Sequence, residues 1–385
     1  MVAPMPEPVT LHFAESALLD LRARLAATRW PDQPDAANDW RQGTDLAYLK
    51  TLVEHWRDRY DWRDRERALN RLPNYSEPIG GIDLHFVHER GIGPAPMPLL
   101  LLHGWPSSFM EFNRVLPMLT DPARFGGDAR DAFSVVVPSL PGYGLSFRPG
   151  QPRADLAQIA EILATLMHQR LGYDRFGVHG GDWGAHVATR LAHARAELLA
   201  GIHLTMLILP RPAQPATEQE REYAEAVARW NRDHAGYANI QGTRPQTLAY
   251  GLNDSPAGLA AWLVEKYREW SDCGGDIERR FDKDALLDIV TWYWLTGSIN
   301  SSFGLYHSLR QGSSALPKGA RVDVPTGHAR FPAGLLHAPR SLAERTYDIR
   351  HWSVMNAGGH FPALEEPDAL VKDIRDFFRP LRTPS

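Results

Sequence analysis

The chain has 385 residues, of which 43% are hydrophobic, and its formal net charge is −4 with histidine neutral. This length and composition allow a large globular core, either as two domains or as one enlarged domain with insertions. The nearly neutral charge and the mixing of Arg with Asp and Glu predict no nucleic-acid partner and no acidic tail.

The single cysteine, Cys273, excludes a disulfide within the chain and predicts a reducing, cytoplasmic location. Residues 1–10 lack the basic and apolar regions of a signal peptide, so none is expected. No run of about 18 apolar residues predicts a membrane span.

Residues 1–95 have the pattern of a helical N-terminal extension. Leucines recur at helical spacing in residues 16–31 and again in residues 46–62. Residues 82–89 then alternate between apolar and polar side chains, which is typical of a strand.

Short apolar runs that end in Gly- and Pro-rich turns follow, at residues 99–106, 133–144 and 176–184, with a helix-length segment at 155–172. Such runs suit strands buried on both faces. Their alternation with helices predicts an α/β fold with a mostly parallel central sheet flanked by helices.

Residues 211–309 interrupt this alternation with a stretch that is mostly helical by pattern and rich in aromatic residues. We interpret it as an inserted helical lid. The strand pattern resumes afterwards, so the predicted core comprises residues 96–210 and 310–385, preceded by the extension over residues 1–95.

Residues 180–185, GGDWGA, follow an apolar run and have the shape of a nucleophile elbow, a strand-to-helix turn that admits only small neighbours. The nucleophile position holds Asp182 instead of a serine. A carboxylate attacks saturated carbon and forms an alkyl ester, which water must then hydrolyse. Taken alone, Asp182 also fits a helix N-cap.

Two further motifs follow predicted strands. In an elbow-type hydrolase the loop at residues 103–106, HGWP, supplies one oxyanion-hole amide, and the residue after the nucleophile supplies the other. These would be the backbone N–H groups of Trp105 and Trp183. His360, in GGHF, comes last in the chain order nucleophile, acid, histidine, and would accept a proton from the hydrolytic water.

The combination of HGWP, GGDWG and GGHFPALEEP resembles the microsomal-type epoxide hydrolases, a family of α/β-hydrolases. The likeness extends over nearly the whole chain, because further matching stretches lie in the N-terminal segment and in the lid, at residues 27–32, 59–63, 236–245 and 251–266. It implies that Tyr237 and Tyr306 donate their phenolic hydroxyls to the epoxide oxygen. It also implies no metal and no organic cofactor, and no H-E-x-x-H, C-x-x-C or phosphate loop occurs in the sequence.

The resemblance implies an epoxide hydrolase that forms a vicinal diol through an Asp182 alkyl ester, with His360 activating the water. A haloalkane dehalogenase would also use an aspartate, but its halide leaves unprotonated and needs no tyrosine pair. A binding homologue with impaired catalysis is the second alternative, and an esterase is disfavoured because the elbow has no serine.

One position departs from the family pattern. Members carry the acid of the triad in a tract F-P-x-Glu/Asp, and here that position holds Gly334. A carboxylate from elsewhere would replace this acid, and Asp323 and Glu344 are the nearest in sequence. Otherwise a water or a backbone carbonyl would hold His360 instead. Alternatively, hydrolysis of the ester is impaired, since loss of the acid from a Ser-His-Asp triad costs roughly 10⁴ in kcat.

The expected partner is a small-molecule epoxide. Trp292, Tyr293 and Trp294 in the lid favour a bulky apolar or aromatic substrate, although such residues also form lid cores. Detoxification and secondary metabolism fit equally well, and a homodimer stays open.

Overall fold

The computed structural model describes residues 6–34, 40–209 and 215–382. The predicted start of the lid at residue 211 lies outside these residues. The described chain begins with a short strand and three helices, namely β1 (Glu7–Pro8), α1 (Glu15–Ala26), α2 (Leu46–Asp58) and α3 (Trp62–Leu69). The predicted apolar face of α1 is buried, and the Asp45 side chain caps α2 by accepting the Tyr48 N–H.

The next segment alternates strands and helices. Its elements are β2 (Asn74–Ile79), β3 (Ile82–Glu89), β4 (Met97–Leu102), a 3₁₀-helix (Phe109–Phe112), α4 (Leu116–Thr120), β5 (Phe133–Pro138), α5 (Leu156–Ala164), β6 (Phe176–Gly180), α6 (Asp182–Ala194) and β7 (Leu199–Leu204). Seven helices follow: α7 (Glu218–Asp233), α8 (Gly236–Thr243), α9 (Pro245–Asp254), α10 (Pro256–Trp270), α11 (Lys283–Thr296), α12 (Ile299–Ser302) and α13 (Gly304–Arg310). The chain returns through β8 (Val322–Arg330), α14 (Arg340–Ala343), β9 (Tyr347–Val354), α15 (Pro362–Glu365) and α16 (Pro367–Phe378).

All nine strands of the described chain form one sheet, in the order β1-β2-β3-β5-β4-β6-β7-β8-β9. The pairs from β1 to β5 are antiparallel, and every pair from β5 onward is parallel. Nearly every residue of β4 to β7 is buried, as expected for strands covered on both faces. The predicted α/β class is confirmed, and the carboxyl ends of the parallel strands meet at one edge.

The helices α7 to α13, the predicted lid, are fixed to the rest of the protein by aromatic packing. Trp292 on α11 contacts the rings of Phe13, Trp62 and Phe109, and it is almost completely buried. The hydroxyl of Tyr293 donates to the backbone carbonyl of Ser107 at 2.9 Å. Both lid aromatics therefore belong to the core that joins lid, N-terminal helices and sheet, and they say little about substrate size. No helix in the described ranges is long and apolar enough to cross a bilayer.

Candidate active site

Asp182 occupies a strained turn between β6 and α6. Its φ is 45°, and it is the only residue other than glycine with a positive φ in the described part of the chain. The neighbours must be small: a Cβ on Gly184 would lie 2.0 Å from the Leu102 carbonyl oxygen, and one on Gly104 would lie 2.3 Å from Asp182 Oδ1. Strain of this kind is found at functional sites.

The carboxylate of Asp182 does not cap the helix that it begins. The N-cap of α6 is Gly181, and no side chain caps this helix. Instead, the Trp105 N–H donates to Asp182 Oδ1 at 2.8 Å. The N–H of Trp183, in the first turn of α6, has no acceptor among the described residues. Of the two predicted oxyanion donors, one thus donates to the Asp182 carboxylate, and the other has no acceptor in the described part of the chain.

His360 lies beside the other oxygen of the same carboxylate. Its Nε2 is 3.3 Å from Asp182 Oδ2. The loop that carries His360 after β9 is held by the end of the lid helix α10: the His360 N–H donates to the Trp270 carbonyl at 2.8 Å, and the Gly358 N–H donates to Asp272 Oδ2 at 3.0 Å. The imidazole also packs edge-to-face on the Trp270 indole. Neither lid contact could be read from the motifs.

Gly334 lies where the family pattern places its acid, in the turn after β8. The Ala333 N–H donates to the Gly358 carbonyl at 3.0 Å, so this turn runs along the loop of His360. Within the described ranges, Asp182 is the only carboxylate within 4.0 Å of the ring nitrogens of His360.

The two carboxylates nearest to Gly334 in sequence do not replace the acid. Asp323 is largely exposed and lies 3.9 Å from Arg321, and Glu344 is half-exposed and pairs with Arg340 at 2.7 Å. Both belong to surface ion pairs, which contribute little to stability and leave these carboxylates away from His360.

The two predicted tyrosines meet over the nucleophile loop. Tyr237 on α8 stacks on Trp105 with ring centroids 5.3 Å apart, and Tyr306 on α13 contacts Trp105 and Trp183 edge-on at 5.9 and 4.8 Å. The two phenol rings are 5.9 Å apart. Burial first, and the charge of Asp182 in addition, raise the pKa of both phenols above the usual value. Both side chains therefore stay protonated and able to donate.

A small cavity of about 20 Å³ lies between the elbow and the loop of His360. This volume is enough for about one water molecule. The cavity is bounded by polar and aromatic residues around the elbow and the HGWP loop and by residues of the chain after β9: Gly104, Trp105, Ser107, Glu111, Phe112, His179, Gly181, Asp182, Thr205, His360, Phe361, Pro362, Ala363 and Leu370.

Glu111 is the member of this lining that the sequence motifs did not identify. It lies on the 3₁₀-helix Phe109–Phe112, directly after the HGWP loop. Burial raises its pKa to about 8; the Ser107 hydroxyl lowers the pKa, and the charge of Asp182 raises it further. The only sequence signal was an acid within the apolar run FMEF.

Comparison with known proteins places this arrangement in a family. Residues 6–112 match the model of the epoxide hydrolase N terminus, and residues 97–246 match that of the alpha/beta hydrolase fold. The chain is 45% identical, over 97% of its length and 85% of the relative, to a Stigmatella aurantiaca protein provisionally assigned as an epoxide hydrolase. It is 35% identical to epoxide hydrolase 1 of Sus scrofa, covering 96% of this chain and 88% of the relative.

Solved structures agree with these relatives. The Aspergillus niger epoxide hydrolase superposes with a TM-score of 0.85 at 28% identity, covering 99% of this chain and 98% of the other. The juvenile hormone epoxide hydrolase of Bombyx mori superposes with a TM-score of 0.83 at 30% identity, covering 98% and 94%. These relatives do not favour the dehalogenase alternative. The chain therefore belongs to the microsomal-type epoxide hydrolase family of α/β-hydrolases.

Proposed function

We propose that the protein hydrolyses an epoxide to a vicinal diol through a covalent ester on Asp182. The observation that carries this proposal is the position of the Asp182 carboxylate, with Oδ1 on the Trp105 N–H and Oδ2 beside His360. A carboxylate in a nucleophile elbow attacks saturated carbon, and membership of the family indicates that this carbon belongs to an epoxide.

In the first step, Asp182 Oδ2 attacks one carbon of the epoxide, because Oδ1 is held by the loop amide. The ring oxygen takes a proton from Tyr237 or Tyr306 as the C–O bond breaks. The two phenols suit this role because burial keeps them protonated and because both pack against Trp105, whose N–H holds the nucleophile. The product of this step is a hydroxyalkyl ester.

In the second step, His360 removes a proton from a water in the small cavity, and the resulting hydroxide attacks the ester carbonyl carbon of Asp182. Negative charge then develops on the oxygen that corresponds to Oδ1. The Trp105 N–H already faces this oxygen, and the free N–H of Trp183 is the second donor. Amides placed in advance stabilise such charge without reorganisation. The bond to the alkyl oxygen then breaks, and this oxygen takes the proton from His360 and leaves as the diol. The Asp182 carboxyl loses its proton to solvent, which balances the proton that solvent returns to the tyrosine after ring opening.

We further propose a bulky apolar or aromatic epoxide as substrate, on two observations. The walls around the nucleophile are aromatic, with Trp105 in contact with Trp270 and Phe303 as well as with the tyrosines. A second cavity of about 250 Å³ is lined mainly by apolar side chains of residues 206–209 and of α7. Residue 206 directly follows Thr205, which lines the small cavity. A cytoplasmic location and a role in detoxification or secondary metabolism are part of the same proposal, on composition and family likeness alone.

Intact-protein mass spectrometry after mixing with excess styrene oxide tests the ester. The native chain should gain one substrate mass transiently and release diol, while Asp182→Asn should gain none. Diol formed by Asp182→Asn at the native rate, or an adduct on another residue, would refute the proposal.

A further inference from the structure

A row of polar side chains crosses the apolar sheet and begins at the small cavity. His179 on β6 lines this cavity and is paired in register with His203 on β7. His203 is paired in turn with Gly327 on β8, and Gly327 with His351 on β9. The row therefore runs across four adjacent parallel strands, from the cavity to the last strand of the sheet, where the side chain of His351 is 26% exposed.

Asp373 on α16 bridges the gap that Gly327 leaves in this row. Its Oδ2 lies 2.9 Å from Nε2 of His203, and its Oδ1 lies 2.8 Å from Nε2 of His351. A side chain at position 327 would be crowded, because a Cβ there would lie 3.2 Å from the His203 ring and 2.8 Å from an aromatic ring of α16. The Nδ1 atoms of His203 and His179 are 2.9 Å apart. The polar side chains thus form one unbroken chain of hydrogen bonds.

The carboxylate at the centre of this chain can only accept hydrogen bonds. Burial raises the pKa of Asp373, but the hydrogen bonds that it accepts, above all from His203, outweigh burial and lower the pKa below its usual value. Asp373 is therefore ionised at neutral pH, and Nε2 of His203 must donate to it. A carboxylate that holds one ring nitrogen fixes the tautomer of a buried histidine. In this tautomer the His203 ring has its lone pair on Nδ1, which faces His179.

The tautomer of His203 determines that of His179. Since Nδ1 of His203 carries a lone pair, Nδ1 of His179 must be the donor of the bond between them. Burial first, and the neighbouring His203 in addition, lower the pKa of His179 well below the usual value, so this ring carries a single proton. Its Nε2 therefore has a lone pair. This nitrogen has no hydrogen-bond partner among the described residues, and His179 borders the cavity, so the lone pair is open to a water there.

A hydrolytic water in the cavity needs such an acceptor. The cavity has room for about one water and is bounded jointly by Asp182, His360 and His179. In the proposed hydrolysis His360 removes one hydrogen of this water, and a lone pair of the water attacks the ester carbon of Asp182. The second hydrogen needs an acceptor that leaves this lone pair free. The hydroxyls of Ser107 and Thr205 also border the cavity, but a hydroxyl can turn its hydrogen either way, whereas the row fixes an acceptor on His179.

We propose that His179 orients the hydrolytic water by accepting its second hydrogen at Nε2, and that His203 and Asp373 hold His179 in the tautomer that can do so. The inference rests on the proposed ester mechanism and adds a positioning residue to its second step. His360 remains the base, and His179 gains no proton at any stage. Ring opening does not use this water, so the row should matter for hydrolysis of the ester and not for its formation.

Nitrogen NMR of the native chain, labelled with ¹⁵N-histidine, tests the tautomer directly, because a ring nitrogen that carries a proton and one that does not differ clearly in chemical shift. The signals of His179 are identified by their loss in the His179→Gln variant. At pH 7 we expect the proton of His179 on Nδ1 and none on Nε2. A proton on Nε2 would overturn the proposal, because the ring would then present a donor to the water.

Two substitutions of His179 separate the acceptor from the packing. His179→Gln keeps a donor for His203 and an acceptor for the cavity, since an amide nitrogen and oxygen are spaced like the two ring nitrogens. His179→Phe keeps a ring and removes both groups. Rapid mixing with styrene oxide, read by mass spectrometry, measures ester formation and ester hydrolysis separately. We expect both variants to form the ester at a near-native rate, His179→Gln to hydrolyse it almost normally, and His179→Phe to hydrolyse it roughly tenfold more slowly.

Native hydrolysis in His179→Phe, or an equal slowing of hydrolysis in the two variants, would overturn the proposal. So would a loss of ester formation in His179→Phe as large as its loss of hydrolysis, because that result indicates a structural role only. The NMR result on the native chain decides the question if His179→Phe does not fold. If the native chain forms no ester, the ester mechanism itself fails, and this outcome is distinct because the native chain and both variants would then lack the adduct.

Discussion

His360 Nε2 lies 3.3 Å from Asp182 Oδ2, the carboxylate oxygen that the Trp105 N–H does not hold. Because the proposed mechanism has His360 act on water and not on the epoxide, His360→Gln should leave ester formation intact and lower steady-state diol formation about 10²–10⁴-fold. The accumulated ester is detected as a mass increase of one substrate. Fast diol release by His360→Gln would show that another base operates.

Replacing Gly334 by glutamate should place a carboxylate at the position where the family pattern has the acid of the triad. A Cβ at this position would lie 3.3 Å from His337 Nε2 and 3.1 Å from the Phe331 carbonyl oxygen, so His337 must move slightly. Because Asp182 is the only carboxylate near the His360 ring nitrogens in the described ranges, we expect Gly334→Glu to raise the rate of ester hydrolysis about tenfold or more.

The control for this experiment is Gly334→Gln, which has the same size but no charge and should not raise the rate of hydrolysis. Ester hydrolysis by Gly334→Glu that is no faster than in the native chain would mean that another group already supports His360.

The tyrosine pair should control ring opening and not hydrolysis. Tyr237→Phe and Tyr306→Phe should each slow ester formation roughly tenfold to a hundredfold, and the double variant should lose more than either. Single-turnover mass spectrometry measures this step directly. Tyr250→Phe is the control, because Tyr250 is a lid tyrosine with 71% of its surface exposed. Native ester formation in the double variant would exclude a role for the phenols.

The pH dependence of ring opening follows from the direction of the tyrosine shifts. Burial is the main cause that raises the pKa of Tyr237 and Tyr306 above 10, and the protonated phenol is the active form. The rate of ester formation should therefore not fall on the alkaline side until the pH exceeds about 10. A decline centred between pH 8 and 9 would contradict this expectation, provided that circular dichroism shows the protein still folded.

The loop glycine at position 104 should be essential for the nucleophile. A Cβ on Gly104 would lie 2.3 Å from Asp182 Oδ1, so Gly104→Ala must displace the carboxylate or the loop. We expect loss of ester formation together with a destabilisation of about 1–3 kcal/mol, measured by thermal denaturation. Gly251→Ala on α9 has nothing within 4 Å of its new Cβ and should be at least as stable as the native chain. Equal rates of ester formation by the two variants would contradict the close contact between Gly104 and the Asp182 carboxylate.

The sequence predicted those parts of the site that depend on local turns. The elbow at Asp182 and the loop at Trp105 are recognisable because close backbone approach permits only small residues at Gly104 and Gly184. The α/β class was predictable for a related reason, since strands buried on both faces must be apolar throughout.

Features that depend on long-range packing could not be predicted. Glu111, on the 3₁₀-helix Phe109–Phe112, lines the same cavity as His360 although the two residues are far apart in sequence, and an isolated acid in an apolar run carries no sign of this. Nearness in sequence was equally uninformative for Asp323 and Glu344, because their segments turn to the protein surface.

The hydrogen bond from the His360 N–H to the Trp270 carbonyl has a further consequence. Trp270, the last residue of α10, is hydrogen-bonded to the backbone of the proposed base, so a rigid-body movement of the predicted lid away from the core would displace His360 as well. Diol must then leave by side-chain motion or through the loops. Changes made in α10 to widen the choice of substrates should consequently alter the lifetime of the ester as well.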